Sequence, residues 1–259
     1  MGETLKAVIL GILQGLTEFF PISSSAHLKV FRTLLDLKGV AGLPFDVSVH
    51  FATLLAVLIY FRRDIARILA GPDLVPIALR LFVATLPAVA VGFLLSPYRE
   101  DLSLWFLVGG WTFSASYLLL IRGREGSADH PRLGMGRVLA IGVAQSLAIF
   151  PGVSRSGSTI AAGLWLGLTR EAAARFSFLL AIPAILGACV LSVKDLIRSE
   201  TSQGDLFAAA AVAMPFAFVS GLVAIHFLLR TVRSNWFHTF GWYNLAAAIA
   251  LATYLLLQG

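Results

Sequence analysis

The sequence predicts an all-α membrane protein, with six transmembrane helices and two re-entrant helix–loop–helix hairpins arranged as an inverted repeat. Three observations carry that prediction. Of 259 residues, 58% are hydrophobic and only 13% charged, about half the charge of an ordinary soluble domain. The 20 Lys and Arg and 14 Asp and Glu crowd into short stretches between apolar runs, and those runs are long enough to span a bilayer. Two further apolar segments are interrupted at their centres by Ser, Gly and Pro, and the two resemble each other.

In chain order, residues 5–36 form the first interrupted segment, with PISSSAH at 21–27. Spans follow at roughly 45–61, 74–95 and 103–121. The second interrupted segment, 137–169, carries PGVSRSGST at 151–159 and precedes spans at roughly 174–193, 206–229 and 239–257. A straight helix does not place so many helix breakers at its middle. A hairpin that enters and returns does, because non-helical backbone is tolerated at membrane depth where it is buried or lines a cavity. The charged stretches FRRDIAR (61–67) and IRGREGSADHPR (121–132) read as connections. Pro87, Pro183 and Pro215 fall inside spans as kinks, and Trp105, Trp236 and Trp242 lie near span ends, as interfacial aromatics do.

Sliding the chain by 131 residues pairs Gly11 with Gly142, Gln14 with Gln145, Leu16 with Leu147, Phe19 with Phe150, Ser23 with Ser154 and Ser25 with Ser156. Loop aligns with loop, so the chain reads as one membrane domain, 1–259, with internal repeats of about 1–121 and 132–259. Each half holds a hairpin and three spans, an odd number, so the second half is inverted relative to the first. Inverted repeats bring their interruptions together near the midplane as a binding site.

The net charge of +6 sits in connections and reads as topology rather than nucleic-acid binding. Eleven Lys and Arg lie on one side and seven on the other, which puts the richer side in the cytoplasm and both termini outside. The single cysteine, Cys189, excludes a disulfide framework and a cysteine metal site. The N-terminal MGETLKAVILGILQG lacks a basic leader and a small-residue cleavage site, and reads as mature protein.

Chemistry concentrates in the two interruptions. Between Ala7 and Leu28 the only ionisable side chains are Glu18 and His27; between Val138 and Thr169 there is only Arg155. Such groups at membrane depth are costly and mark function, although Glu18 and Arg155 could simply staple the repeats together. In PGVSRSGST, Arg155 offers a planar fork for phosphate, Ser154, Ser156, Ser158 and Thr159 offer hydroxyls, and a helix beginning near Ser158 would add its N–H groups. Gln14 and Glu18 share a helix face, and Glu18 could hold a divalent cation. Ser24 and His27, three apart, would share a face if Pro21-Ile22-Ser23 opens a helix, giving a hydroxyl and an imidazole. Asp46 and His50 could flank this site or sit at the interface, and His226, near a span end, His130 and His238 are weaker candidates.

At these residues the chain resembles a known family. QGLTEFFPISSSAH is similar to the (Glu/Gln)-x-x-x-Glu and Pro-x-Ser-Ser-x-x-His segment of the undecaprenyl-diphosphate phosphatases, the bacitracin-resistance type of integral membrane enzyme. PGVSRSGST fits that family's second signature, Pro-Gly-x-Ser-Arg-Ser-x-x-Thr, at every fixed position. The resemblance implies hydrolysis of undecaprenyl diphosphate to the monophosphate and phosphate at the cell membrane. That reaction recycles the lipid carrier for peptidoglycan, and with it cell shape and bacitracin resistance. It implies catalytic roles for Glu18, Ser24, His27 and Arg155, substrate binding by Gln14, Ser23, Ser154, Ser156 and Thr159, and a Mg²⁺ or Ca²⁺ ion on Glu18. The site is implied to open toward the outer face. The partners implied are a polyprenyl diphosphate lipid and the membrane, with no nucleic acid, and a homodimer is left open.

Two positions depart from the family pattern. Gln14 replaces the first acid, shifting the burden of cation binding to Glu18. Ala26 stands where Gly usually precedes His27, so that turn must avoid the left-handed region or be strained. Either Ser24 attacks the terminal phosphorus with His27 as base, or His27 attacks or activates water while Ser24 orients substrate. The alternative function is a lipid-phosphate transporter using the same inverted-repeat pocket.

Overall fold

The computed structural model describes residues 2–34, 42–95, 103–128, 133–198 and 204–258. Of the connections counted above for orientation, 35–41, 96–102, 129–132 (with His130) and 199–203 lie outside the described residues. Among the described residues there are eleven helices and no strand, only an isolated bridge between Ala128 and Leu168.

The first interrupted segment becomes α1 (Glu3–Phe19) and α2 (Ser24–Leu34). Helix α1 stops because Pro21 disfavours helical backbone at the residue before it, and Phe20 is extended, φ −62° and ψ 142°. Then come α3 (Leu43–Tyr60), α4 (Arg62–Ala70), α5 (Leu74–Leu95) and α6 (Leu104–Leu120). The second interrupted segment becomes α7 (Met135–Leu147) and α8 (Arg155–Trp165), followed by α9 (Arg170–Arg198), α10 (Gly204–Arg233) and α11 (Thr239–Gln258).

Among the described residues, five helices are long and apolar enough to cross a membrane, in α3, α5, α9, α10 and α11. The expected span at 103–121 forms α6, an apolar helix of 17 residues; at 1.5 Å per residue it is about 26 Å long, a little under the hydrocarbon thickness of about 30 Å. FRRDIAR is helical rather than a loop. No Gly or Pro interrupts 62–70, and Asp64 is held at 2.9 Å by Arg175 of α9, which anchors α4. The helices α5, α9 and α10 run through Pro87, Pro183 and Pro215.

Packing pairs elements across the two halves. Helix α1 packs along α10, α7 along α5, α3 against both α9 and α10, and α6 along α11. The approach of α1 to α10 depends on Gly11 and Gly15, where a Cβ would run into the Ala213 and Ala217 carbonyls. Gly142, the counterpart of Gly11, sits the same way against the Ala84 carbonyl of α5. An aromatic cluster, Phe178 between Phe19 and Phe61 with ring centroids 5.8 and 5.4 Å away, joins α9 to α1 and to the end of α3.

Gly15→Val therefore lowers the unfolding temperature of detergent-purified protein, at a cost of about 1–3 kcal/mol or more. Gly187→Ala, in a helix where a Cβ meets open space, leaves it unchanged or raises it, gaining up to about 1 kcal/mol.

Candidate active site

The loop after α1 and the loop after α7 touch. A Cβ on Gly157, in the first turn of α8, would lie 3.1 Å from the Pro21 ring. Buried side chains from the α6–α11 pair hold both loops by their carbonyls. Trp111 Nε1 donates to the Ile22 carbonyl (2.8 Å) and Asn244 Nδ2 to that of Pro21 (2.8 Å). On the second loop, Ser114 Oγ donates to the Gly152 carbonyl (3.3 Å) and the Tyr117 hydroxyl to that of Ser154 (3.2 Å). Irregular backbone in an apolar interior needs such partners, because an unmade buried hydrogen bond costs about 1–3 kcal/mol.

Each loop makes one left-handed residue. In the second it is Gly152 (φ 91°), where glycine carries no steric cost. In the first it is Ser23 (φ 68°), a strained choice for a residue with a side chain. Ala26 lies inside α2, buried against Leu107 and Trp111. The chain at Ala26 thus avoids the left-handed region, and the left-handed residue of this loop is Ser23.

At the point of contact sits the carboxylate of Glu18, whose side chain is 6% exposed. Its Oε1 accepts from Arg155 Nη2 at 2.8 Å, across the two halves. Its Oε2 accepts from Ser24 Oγ at 2.8 Å and from Gln14 Nε2 at 3.0 Å. The structure thus brings together Gln14, Glu18, Ser24 and Arg155, from both interruptions. The ion pair that could staple the repeats is present, but the hydroxyl and amide on the same carboxylate exceed what a staple needs.

Other expected site residues face elsewhere. His27 is buried, its Nδ1 2.8 Å from the Ser23 carbonyl and its Nε2 2.8 Å from the Tyr243 hydroxyl. Trp111 packs edge-on to its ring. Although α2 does begin at Ser24, the hydroxyl of Ser24 bonds to Glu18 and both nitrogens of His27 are taken up elsewhere. Helix α8 begins at Arg155, three residues before the expected start. Ser154 is its N-cap, accepting from the Gly157 N–H (3.1 Å), and Ser156 Oγ lies 3.2 Å from Ser154 Oγ. Ser158 and Thr159 bond back to the Arg155 carbonyl (3.0 and 2.8 Å), and Thr159 also meets Ser177 of α9 at 2.6 Å. Ser23 Oγ lies 3.3 Å from Ser25 Oγ. These hydroxyls shape the loops, while Arg155 alone among them reaches the opposite half.

One neighbour carried only a faint signal in the sequence. His50 of α3 places Nε2 3.9 Å from Glu18 Oε2, and its side chain is 31% exposed. Its partner in the sequence pattern, Asp46, instead pairs with Arg32. Tyr243, Asn244 and Ser177 had no local signal at all, being brought in by tertiary packing.

The sequence model of a family described as "Bacitracin resistance protein BacA" matches residues 7–250. The chain is 40% identical to an undecaprenyl-diphosphatase of Geobacter sulfurreducens, covering 98% of each. It is 38% identical to that of Rhodopirellula baltica, covering 96% of this chain and 97% of the relative. It is also 38% identical to undecaprenyl-diphosphatase 3 of Bacillus cereus, covering 92% of each.

Removing Arg155 leaves a buried carboxylate without its counter-charge, so Arg155→Ala costs about 3–5 kcal/mol. Adding Glu18→Gln to that variant recovers most of the loss. Thermal or denaturant unfolding of the single and double variants in detergent measures both.

Proposed function

The chain belongs to the bacitracin resistance protein BacA family, and we infer from that membership and from its loop-to-loop site that it is an undecaprenyl-diphosphatase. It is a multi-pass integral membrane protein that hydrolyses undecaprenyl diphosphate to the monophosphate and inorganic phosphate. The observation that carries the site assignment is the hydrogen bond of Ser24 to a carboxylate whose other oxygen is held by Arg155.

Ser24 attacks the terminal phosphorus, and its proton passes to Glu18 Oε2, the acceptor it already faces at 2.8 Å. The bond from that phosphorus to the bridging oxygen breaks, and undecaprenyl phosphate leaves with the electron pair. Water then hydrolyses the phosphoserine. Arg155, 17% exposed, reaches phosphate oxygens from the second loop with a planar fork, and positioning with charge stabilisation is most of what this chemistry asks of a protein. His27 acts through the loop: bonded to the Ser23 carbonyl and Tyr243, it fixes the backbone just before Ser24.

A divalent cation fits this donor set. The Glu18 carboxylate would hold it, and the buried Oε1 of Gln14, which has no partner, would supply a second oxygen from the same helix face. When bound, the ion neutralises phosphate charge.

We also read the architecture as six spans and two re-entrant hairpins in an inverted repeat, 1–121 and 132–259. The packing of α1 on α10 and of α7 on α5 supports this, because the two pairs are equivalent under the repeat, each setting the first hairpin helix of one half against the second span of the other. So do the paired serines, Ser23 with Ser25 and Ser154 with Ser156, at 3.3 and 3.2 Å. A site open to the outer face is what the family resemblance implies, and the distribution of Lys and Arg supports only the placement of both termini outside. Lipid-phosphate transport through the same pocket is not favoured, because transport has no use for a serine hydroxyl aimed at a buried carboxylate.

Phosphate release from undecaprenyl diphosphate by the purified protein, with and without EDTA, tests the reading. Wild type releases phosphate, Ser24→Ala falls about 10³-fold or more, and Arg155→Ala loses about 10²- to 10³-fold. No release from folded wild type across several cations would move the assignment to transport.

A further inference from the structure

Helix α4 has no part in the chemistry above, and none of its 9 residues is buried. It lies between α3 and α5, with only Phe61 separating it from α3. At 1.5 Å per residue it is about 14 Å long, too short to cross the bilayer, and the ends of the two spans beside it place it at the membrane surface. Two side chains tie it down. Asp64 pairs with Arg175 of α9 at 2.9 Å, and Ile65 packs against the main core.

The rest of the helix is two-faced. Arg63 and Arg67, four apart, share one side, and the Arg67 side chain is 77% exposed. Ile65, Ile68 and Leu69 share the other, with Leu69 62% exposed. A short helix of this kind lies in the bilayer interface, its aliphatic side in the hydrocarbon boundary and its guanidiniums at the headgroups.

Charge on this face is unbalanced. Asp64, the one carboxylate of α4, already serves Arg175 and approaches Arg67 only to 3.5 Å. The next acid in the network, Glu171, is shared by Arg175 and Arg233, at 2.9 and 2.8 Å. Among the described residues no carboxylate pairs with Arg62 or Arg63. The positive charge of α4 is therefore left for a partner outside the chain.

We propose that α4 is a docking surface for anionic phospholipid, with Arg63 and Arg67 on the headgroup phosphate and Leu69 among the acyl chains. An acidic protein could meet the arginines but would leave Leu69 unmatched, whereas a phospholipid brings negative charge and hydrocarbon to one place. The planar fork of arginine suits the phosphate, because it donates two parallel hydrogen bonds.

The test is native mass spectrometry of the full chain in detergent, titrated with phosphatidylglycerol or with phosphatidylcholine of the same acyl chains. A basic residue at an anionic headgroup is worth about fivefold in affinity, so wild type should bind phosphatidylglycerol about tenfold more tightly or better. Arg63→Gln/Arg67→Gln should weaken that binding about 5- to 25-fold and leave phosphatidylcholine unchanged. Arg63→Lys/Arg67→Lys keeps the charge and should keep most of the preference. Arg63→Gln alone serves as the second variant should the double variant fail to fold, and should lose about fivefold. Arg122→Gln/Arg124→Gln removes the same charge from another exposed connection and should bind as wild type does. Equal affinity of wild type for the two lipids overturns the proposal. So does phosphatidylglycerol binding that survives in the folded Arg63→Gln/Arg67→Gln protein, which would put the lipid at the substrate site or elsewhere. An equal loss in Arg122→Gln/Arg124→Gln also overturns it, because net charge rather than α4 would then be responsible.

Discussion

A carboxylate at the centre of this molecule is tolerable only because a guanidinium from the other half of the chain reaches it. Glu18 is nearly buried, and Arg155 meets it at 2.8 Å from a loop 137 residues away. Removing one partner of such a pair strands a charge in an apolar interior, so each loop has to be where the other needs it. The contact that offsets the Glu18 charge therefore also fixes where the Arg155 guanidinium stands. Ser24 and Gln14 then exploit the remaining oxygen of Glu18, which gives the hydroxyl an acceptor at the place where a phosphate would meet Arg155.

That arrangement is held from outside the loops. The α6–α11 pair supplies Trp111, Ser114, Tyr117 and Asn244 to four loop carbonyls, so two stretches of non-helical backbone can lie in the interior with their polar groups paired. Glycines at 11, 15 and 142 let α1 and α7 approach their partner helices at backbone distance. A helix that packs this closely has little freedom to rotate, and the direction of Glu18 from α1 is set accordingly. Strain at Ser23 is sustained because Trp111 and Asn244 fix the two residues before it.

The sequence made the two interruptions legible because each carries an ionisable residue in an otherwise apolar stretch, and because Ser, Gly and Pro there break the rhythm of the surrounding helices. Glu18 and Arg155 stood out for that reason. What it could not display was direction. His27 looked like the natural partner of Ser24 at a spacing of three, but its nitrogens face the Ser23 carbonyl and Tyr243, a residue 216 positions away on α11. Thr159 read as a phosphate hydroxyl and instead bridges to Ser177 on α9. In the sequence His50 could flank the site or sit at the interface, and only the packing of α3 beside α1 turns it toward Glu18. Helix α4 was hidden by its charges, whose anchor, Arg175, lies 111 residues downstream of Asp64.

The most direct examination of this site is a rapid acid quench of the purified protein turning over undecaprenyl diphosphate labelled in its terminal phosphate, followed by mapping of the labelled peptide. With Ser24 bonded to Glu18 and His27 engaged elsewhere, the label belongs on Ser24, in a peptide that is absent from Ser24→Ala. Label on His27, surviving in Ser24→Ala, would contradict this and return the nucleophile to the imidazole.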